Sequence, residues 1–280
     1  MSAAAPPRPE SALRVLARRA VILADAHFDP TSESDVQRLA RFVARASERA
    51  DLLVVLGDLF DYWLGRKHLR LARLAPLREA FLEARARGCR CVLVSGNRDF
   101  LLDSSTAAEL GAEHGGEWVD LELASGERWL LTHGDALCLE DVGYMRLRRV
   151  THSRAVHWLS RALPLWALRA LALRLRKASQ RSQARRRAQG YGARIFPIRP
   201  PAVEAVLASG GPWLGLVCGH VHVARRWRGG PGGEFLVLPA FESADGHLVL
   251  ESGCAPAFAD AEASLAVAPR PVAPGALTYE

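Results

Sequence analysis

The sequence contains few cysteines and no long apolar runs, and each of these features excludes one class of protein. Only 5 of its 280 residues are cysteine, and an odd number argues against a scaffold held by disulfides. Cys89 and Cys91 are two residues apart on one predicted strand and are expected to be core thiols. We therefore expect a protein of a reducing compartment, the cytoplasm.

No window of about 18 uncharged apolar residues occurs, so the sequence predicts no helix that spans a membrane. The first ten residues are rich in Ala and Pro, and the first apolar run, 21–24, is too short for the apolar region of a signal peptide. We therefore expect no signal peptide.

A net charge of +7 is the clearest feature of the composition and favours an anionic partner. Nucleic acid, an acidic membrane surface and a phosphorylated substrate all satisfy it. Hydrophobic residues make up 49% and charged residues 24% of the chain, which is typical of a globular protein. The length suits one large α/β domain or a domain with an insert.

Five short apolar runs each end in a side chain that can bind a metal ion or a phosphate group. Asp58 follows one of them, 52–56, after Gly57. A single Asp in this position is more often a turn or a helix cap. Recurrence after five runs instead indicates a crevice at the carboxyl ends of parallel strands. The other residues are Asp25 and His27 after 21–24, Asn97 and Arg98 after 91–94, His133 after 129–131, and His220 and His222 after 214–218.

The order of elements predicts an α/β protein. Helices over 34–50, with Ser34 as N-cap, and over 69–88 separate the first three runs, which predicts parallel strands joined by right-handed crossovers. Segments 117–123 and 127–131 predict a hairpin. We assign 1–13 as a disordered N-terminus, 14–252 as the domain, 141–197 as a helical insert or lid, and 253–280 as an Ala/Pro-rich tail.

The collected side chains are typical of a site for two metal ions. Mixed imidazole and carboxylate ligands suit Mn, Fe or Zn better than Ca. They are too many for one tetrahedral zinc, and Asp58 is central enough to bridge two ions. Such a pair polarises a phosphoryl group and activates a water, which predicts hydrolysis of a phosphoester or phosphoanhydride.

In their order, these motifs resemble the calcineurin-like metallophosphoesterases. The resemblance covers about residues 20–225 and implies a four-layer α/β/β/α sandwich with a helical cap insert. It also implies that Asp58 bridges two ions. The first ion would have Asp25, His27 and His222 as ligands, and the second Asn97, His133 and His220.

Arg98 departs from the general pattern of that family, which has His at this position. An arginine cannot donate its proton at neutral pH, but it can bind phosphate oxygens with two hydrogen bonds. The residue therefore fits a leaving group that needs little protonation, and favours a pyrophosphate over an alkyl ester. Asn97, Arg98 and Asp58 are the predicted catalytic residues.

Longer runs resemble one branch of the family, the UDP-2,3-diacylglucosamine diphosphatases of lipid A biosynthesis. The similar runs are 57–65, 95–102 and 133–138, and the likeness continues into the insert. It implies Mn²⁺-dependent hydrolysis of the pyrophosphate bond of a UDP-linked glycolipid by a monomer, peripherally bound at the cytoplasmic face of the inner membrane. The implied substrate-binding residues are Arg98, Asp141, Tyr144, Arg176, Ser179, Gln183, Arg186 and His220.

Three other functions remain open at the level of sequence. A nuclease would carry its basic residues and aromatics along an open groove. Here the basic residues are concentrated in an insert that also carries many leucines, which suits an amphiphilic substrate better. A phosphatase or pyrophosphatase acting on proteins or small nucleotides would ignore acyl chains. A membrane-binding protein with a relic site would not need all seven ligand positions filled. We expect no nucleic-acid partner.

Overall fold

In a computed structural model, the structure describes residues 9, 11–164, 167–168, 170, 198–228, 233–241 and 246–259. Twelve strands in these residues form two six-stranded sheets. The strands are β1 Leu13–Ala17, β2 Arg19–Leu23, β3 Leu52–Leu56, β4 Arg90–Val94, β5 Glu113–His114, β6 Trp118–Leu123, β7 Arg128–Thr132, β8 Gly215–Cys218, β9 Arg225–Arg228, β10 Glu234–Val237, β11 His247–Glu251 and β12 Ala257–Ala259.

The α-helices of the described residues cover the outer faces of the two sheets and form part of the predicted insert. Short 3₁₀ segments lie at Arg66–Arg70, Ala72–Leu74 and Asp135–Leu137. The helices are α1 Glu33–Ser47, α2 Ala75–Ala86, α3 Ser104–Leu110, α4 Val142–Thr151, α5 Arg154–Ala162 and α6 Pro200–Leu207.

The two sheets divide the predicted strands between them. One sheet has the order β12-β11-β2-β3-β4-β5 and the other β1-β6-β7-β8-β10-β9. Strands β2, β3 and β4 are parallel, as the sequence predicts, and β7 is parallel to β8 in the second sheet. The predicted hairpin is the antiparallel pair β6–β7. The carboxyl ends of β2, β3, β4, β7 and β8 meet at one edge of the sandwich.

Three apolar clusters fill the spaces between four layers. The first packs α1, α2 and α3 on the sheet that contains β3, with Phe42 and Phe81 fully buried. The second lies between the sheets, where Ile22 and Val54 meet Leu131. The third packs α6 on the outer face of the second sheet. This confirms the α/β/β/α sandwich, because a sheet buried on both faces needs a partner layer on each side.

The helix boundaries differ slightly from the sequence prediction. Helix α1 is capped by Ser32, whose side chain accepts a hydrogen bond from Asp35 N, so the predicted cap Ser34 is wrong. Helix α2 begins only at Ala75, because Pro76 lacks an N–H and fits the first turn, where that group needs no partner. Gly88, just past its end, has a φ of 88° and stops the helix, as the sequence predicts.

Both ends of the domain reach further than the sequence predicts. The predicted boundary at 13 is wrong, because β1 begins at Leu13 and pairs with β6. The rest of that assignment concerns 1–8 and 10, which lie outside the described residues. The assignment of 253–280 to a tail also needs correction, because Ala257–Ala259 forms β12 against β11. Phe258 lies opposite Leu248 and packs against the cluster between the sheets, which explains why this short segment is held.

Helices α4 and α5 lie in the predicted insert 141–197. The residues Arg176, Ser179, Gln183 and Arg186 lie outside the described residues. In the part of the chain that the structure describes, no helix is long and apolar enough to cross a bilayer.

Candidate metal centre

The loops after β2 and β8 bring together Asp25, His27 and His222. Their ligand atoms all lie within 4.8 Å of one another. The two imidazole Nε2 atoms are 3.1 Å apart, and His222 Nε2 lies 3.3 Å from Asp25 Oδ1. These are the residues that the resemblance assigns to the first ion.

The loops after β4, β7 and β8 form a second group around Asn97. Its Oδ1 lies 3.0 Å from His133 Nε2 and 3.1 Å from His220 Nδ1. Asp58 lies between the two groups, with Oδ1 3.7 Å from His133 Nε2 and Oδ2 3.9 Å from His27 Nδ1. The structure thus brings all seven predicted ligand residues together, with Asp58 central.

The backbone at these positions is unusual. In the described residues, five non-glycine residues have a positive φ, between 50° and 69°, and all five are predicted ligands. This region is costly for residues with a Cβ, and strain of this kind concentrates at functional sites. The five residues lie in the loops directly after β2, β3 and β8, and their side chains meet in the common crevice. The five residues are Asp25, His27, Asp58, His220 and His222.

Two glycines are required because the ligand carboxylates lie against them. A Cβ on Gly96 would come within 2.3 Å of Asp58 Oδ1, and one on Gly219 within 2.5 Å of Asp25 Oδ2. Any side chain at either position would therefore displace a predicted ligand. Because they have no side chain, the glycines of the two motifs allow the neighbouring loops to approach each other closely.

Buried hydrogen bonds to residues that are not predicted ligands hold these loops. His133 Nδ1 lies 2.8 Å from the carbonyl oxygen of Leu56, which leaves Nε2 to face the crevice. Asp99 accepts hydrogen bonds from Gly96 N at 2.6 Å and Leu59 N at 2.8 Å, and so ties the loop after β4 to the loop after β3. Its place in the motif was visible in the sequence, but its role depends on donors 40 residues away.

The electrostatics of the crevice favour cations. Burial, reinforced by the charges of Asp99 and Asp25, raises the pKa of Asp58 to about 7. Burial opposes protonation of His133, but the charges of Asp58 and Asp25 outweigh it and raise the pKa of this imidazole to about 9. Burial lowers the pKa of His27 to about 3 and of His220 to about 4. Both are neutral at pH 7.

The residues present fit divalent metal ions. Asp25 Oδ1 and His27 Nδ1 are buried without a hydrogen-bond partner, an arrangement that is costly unless another group satisfies them. Imidazole, carboxylate and amide donors converge on one crevice, which matches the ligand preference of borderline divalent ions.

Arg98 lies at the rim of the crevice. Its Nη1 donates to Asp61 Oδ1 at 2.6 Å, and its Nε lies 3.4 Å from Asp58 Oδ2. The side chain is 34% exposed, so the guanidinium can reach a bound anion. Asp61, which orients this guanidinium, was not singled out from the sequence, although it stands in the same motif as Asp58.

Two of the predicted substrate-binding residues start α4 beside this crevice. Asp141 is the N-cap of α4 and accepts a hydrogen bond from Tyr144 N at 2.9 Å. The Tyr144 ring centroid lies 5.9 Å from that of His220, and its hydroxyl donates to Asp135 Oδ2 at 2.7 Å. Burial, together with the charge of Asp135, raises the pKa of this hydroxyl well above its ordinary value. Contact of either residue with a substrate stays a prediction.

A four-layer sandwich whose strand ends gather imidazoles and carboxylates around Asp58 defines a metal-dependent hydrolase. A model of the family described as calcineurin-like phosphoesterase matches residues 18–224. The chain belongs to the calcineurin-like phosphoesterase family.

Relatives within the family are similar over most of their length. The UDP-2,3-diacylglucosamine hydrolase of Aeromonas salmonicida is 36% identical over 202 residues, 72% of this chain and 76% of that protein. The enzyme of the same name from Ralstonia nicotianae is also 36% identical, over 77% of this chain and 81% of its own length. Among solved structures, a dimetal phosphatase from Danio rerio is 16% identical, with a TM-score of 0.44, over 82% of this chain and 91% of that one.

Proposed function

We propose that this chain hydrolyses the pyrophosphate bond of UDP-2,3-diacylglucosamine, giving UMP and 2,3-diacylglucosamine 1-phosphate. The observation that carries the proposal is the 36% identity to UDP-2,3-diacylglucosamine hydrolases over about three quarters of both chains. In the reaction, one water is added and one P–O bond of the anhydride is broken. Arg98 beside Asp58 supports this choice within the family, because a leaving phosphate needs no proton from the enzyme.

The proposal includes two divalent ions, with Mn²⁺ as the native metal. When bound, the ions supply Lewis acidity that activates a water and neutralises charge on the phosphoryl oxygens. Asp25, His27 and His222 would hold one ion, Asn97, His133 and His220 the other, and Asp58 both. Arg98 would bind the phosphate oxygens at the rim, and its hydrogen bond to Asp61 sets the direction of the guanidinium before substrate arrives.

We further propose that the protein works as a monomer, peripherally bound at the cytoplasmic face of the inner membrane. Helices α4 and α5 support the membrane contact, because they expose apolar side chains beside arginines. Such a surface suits the boundary between acyl chains and anionic headgroups. The exposed apolar residues are Val142, Leu147, Val150, Trp158 and Leu159, and the neighbouring exposed arginines are Arg146, Arg149 and Arg161.

The deciding assay is release of UMP from UDP-2,3-diacylglucosamine in detergent. It is run with Mn²⁺ and with excess chelator, beside an aryl phosphodiester without acyl chains. We expect Mn²⁺-dependent UMP release and little turnover of the aryl ester. Turnover of the aryl ester alone would keep the metal centre and reject the lipid. The search would then move to other nucleotide pyrophosphates and phosphodiesters, including nucleic acid.

A further inference from the structure

A buried carboxylate beside the metal centre is held by two residues of α4. Asp135, two residues after His133, is 3% exposed. Its Oδ2 accepts a hydrogen bond from Tyr144 Oη at 2.7 Å and another from Arg148 Nε at 2.8 Å. Tyr144 and Arg148 are four residues apart, so both project from one face of α4 towards the same oxygen.

Arg148 continues the connection away from the crevice. A guanidinium nitrogen, Nη2, lies 2.9 Å from Glu117 Oε1, which is also 3.4 Å from His152 Nδ1 at the end of α4. The Arg148 side chain is only 14% exposed. Its buried partner is Asp135, and removing Arg148 would leave that carboxylate without a compensating charge.

The contact reaches the metal centre through Tyr144. The ring of His220 has the ring of Tyr144 on one side, at 5.9 Å, and that of His133 at 5.1 Å. His220 Nδ1 faces Asn97, and its backbone has a positive φ. Since the hydroxyl of Tyr144 is fixed on Asp135, the orientation of this ring depends on the same carboxylate that Arg148 binds.

We propose that Arg148 is a positioning residue for the ion held by Asn97, His133 and His220. It contacts no predicted ligand. It fixes Asp135, and through Asp135 the ring of Tyr144 and the loop that carries His133. The inference rests on the metal centre of the proposed function, but not on the identity of the substrate. The other ion, at Asp25, His27 and His222, lies outside this connection.

The test compares Arg148→Met with Lys67→Met in the full-length protein. Lys67 Nζ donates to the carbonyl oxygens of Arg161, at 2.9 Å, and of Leu163, so it anchors the end of α5, the helix that follows α4. Mn²⁺ binding to chelator-stripped protein is measured by calorimetry, with thermal unfolding alongside. We expect Arg148→Met to lower the affinity for one of the two Mn²⁺ ions by about 10-fold or more and to leave the affinity for the other unchanged. Lys67→Met should lower the unfolding temperature without changing either affinity.

Tyr144→Phe is the second variant, which keeps the ring and loses only the hydrogen bond to Asp135. We expect this variant to lower the affinity for the same ion by a smaller factor. The positioning role would be overturned by unchanged Mn²⁺ affinity in both variants, or by an equal loss of affinity for both ions. It would also be overturned if Lys67→Met lost the same Mn²⁺ affinity. Two ions bound by the wild type without any UMP release would reject the proposed substrate and leave this inference standing. Absence of Mn²⁺ binding in the wild type would overturn both.

Discussion

Arg98 contacts Asp58 through both its backbone and its side chain. The backbone N donates to Asp58 Oδ1 at 2.8 Å, and the guanidinium Nε lies 3.4 Å from Oδ2. The residue predicted to bind phosphate is thus in direct contact with the residue predicted to bridge the ions. A substitution of Asp58 therefore tests metal binding, and a substitution of Arg98 tests phosphate binding, within one connected site.

Asp58→Asn should abolish turnover and stabilise the metal-free protein. The amide keeps an oxygen for the hydrogen bond from Arg98 N but loses the charge that holds the ions. Burial raises the pKa of Asp58 to about 7, and His133, whose pKa is about 9, is neutral at pH 10, so the buried carboxylate is unfavourable there without metal. We expect the unfolding temperature of chelator-treated protein to rise on the order of 2–4 °C.

Asp51→Asn is the matched control. Partial burial opposes ionisation there, but hydrogen bonds from the backbone N–H groups of Arg18 and Arg19 outweigh it and lower the pKa of the carboxyl. This variant should lose stability and retain turnover. A folded, metal-loaded Asp58→Asn protein with normal turnover would contradict the bridging role.

Arg98→Met should reduce UMP release by at least about 100-fold while metal content changes little. The guanidinium supplies charge-assisted hydrogen bonds to phosphate oxygens, and Met keeps a similar length without them. Turnover and bound metal are measured on the same preparation. Arg90→Met, at the opposite end of β4, removes an ion pair with Glu113 and should leave turnover unchanged. A normal rate in Arg98→Met would remove this residue from the mechanism.

The metal-free protein should lose stability as pH rises from 6.5 to 9. The charges of Asp58 and Asp25 outweigh burial and raise the pKa of His133 to about 9, so its contribution is full below 6.5 and is lost through 9. Asp58 acts in the same direction but at lower pH, because its contribution is lost between the ordinary pKa of 3.8 and about 7. The lowered pKa values of His27 and His220 affect stability only below about 6.5. We expect a loss on the order of 1–3 kcal/mol in the free energy of unfolding, measured with denaturant.

Added Mn²⁺ should reverse this trend, because the ion competes with protons for the same ligands and stabilises only the folded chain. The gain should be larger at pH 8 than at pH 6.5. A metal-free stability that is flat or rising between pH 6.5 and 9 would show that His133 is not protonated as described.

Trp158→Ser should weaken binding to vesicles that contain anionic phospholipid. Trp158 on α5 is 70% exposed, and loss of its apolar surface should cost about 10-fold in partitioning. Leu16→Ser is the control, since Leu16 is 68% exposed on β1, outside the insert. Cosedimentation checks both variants, and equal losses in the two would argue against a membrane surface on α5.

The position of the site at the strand ends was predictable from the sequence, because parallel strands bring their carboxyl ends to one edge of a sheet whatever their order in it. The assignment of strands to two sheets was not predictable from the residues alone, because an apolar run such as 129–131 does not encode its neighbour. Both β3 and β7 are buried on both faces and have the same kind of sequence. The resemblance to the family supplied the four layers.

Residues that support the site were harder to predict than its ligands. Asp99, Asp135 and Asp61 stand in the recognised motifs, yet their roles depend on donors that folding brings from elsewhere in the chain. Asp141 shows a different limit. Its capping of α4 is a contact between residues three apart, and the sequence alone did not distinguish this role from substrate binding.

The contacts that close the metal centre join the beginning of the domain to its far end. His220 N donates to Asp25 Oδ2 at 2.7 Å, and the imidazoles of His27 and His222 meet at 3.1 Å, in each case across 195 residues. During synthesis, the ligands after β2, β3 and β4 emerge long before those after β8. The chain must therefore be translated beyond β8, through His222, before either ion has its full set of ligands. Tight metal loading is thus a late step in maturation, and it reports that the loop after β8 has reached the loop after β2.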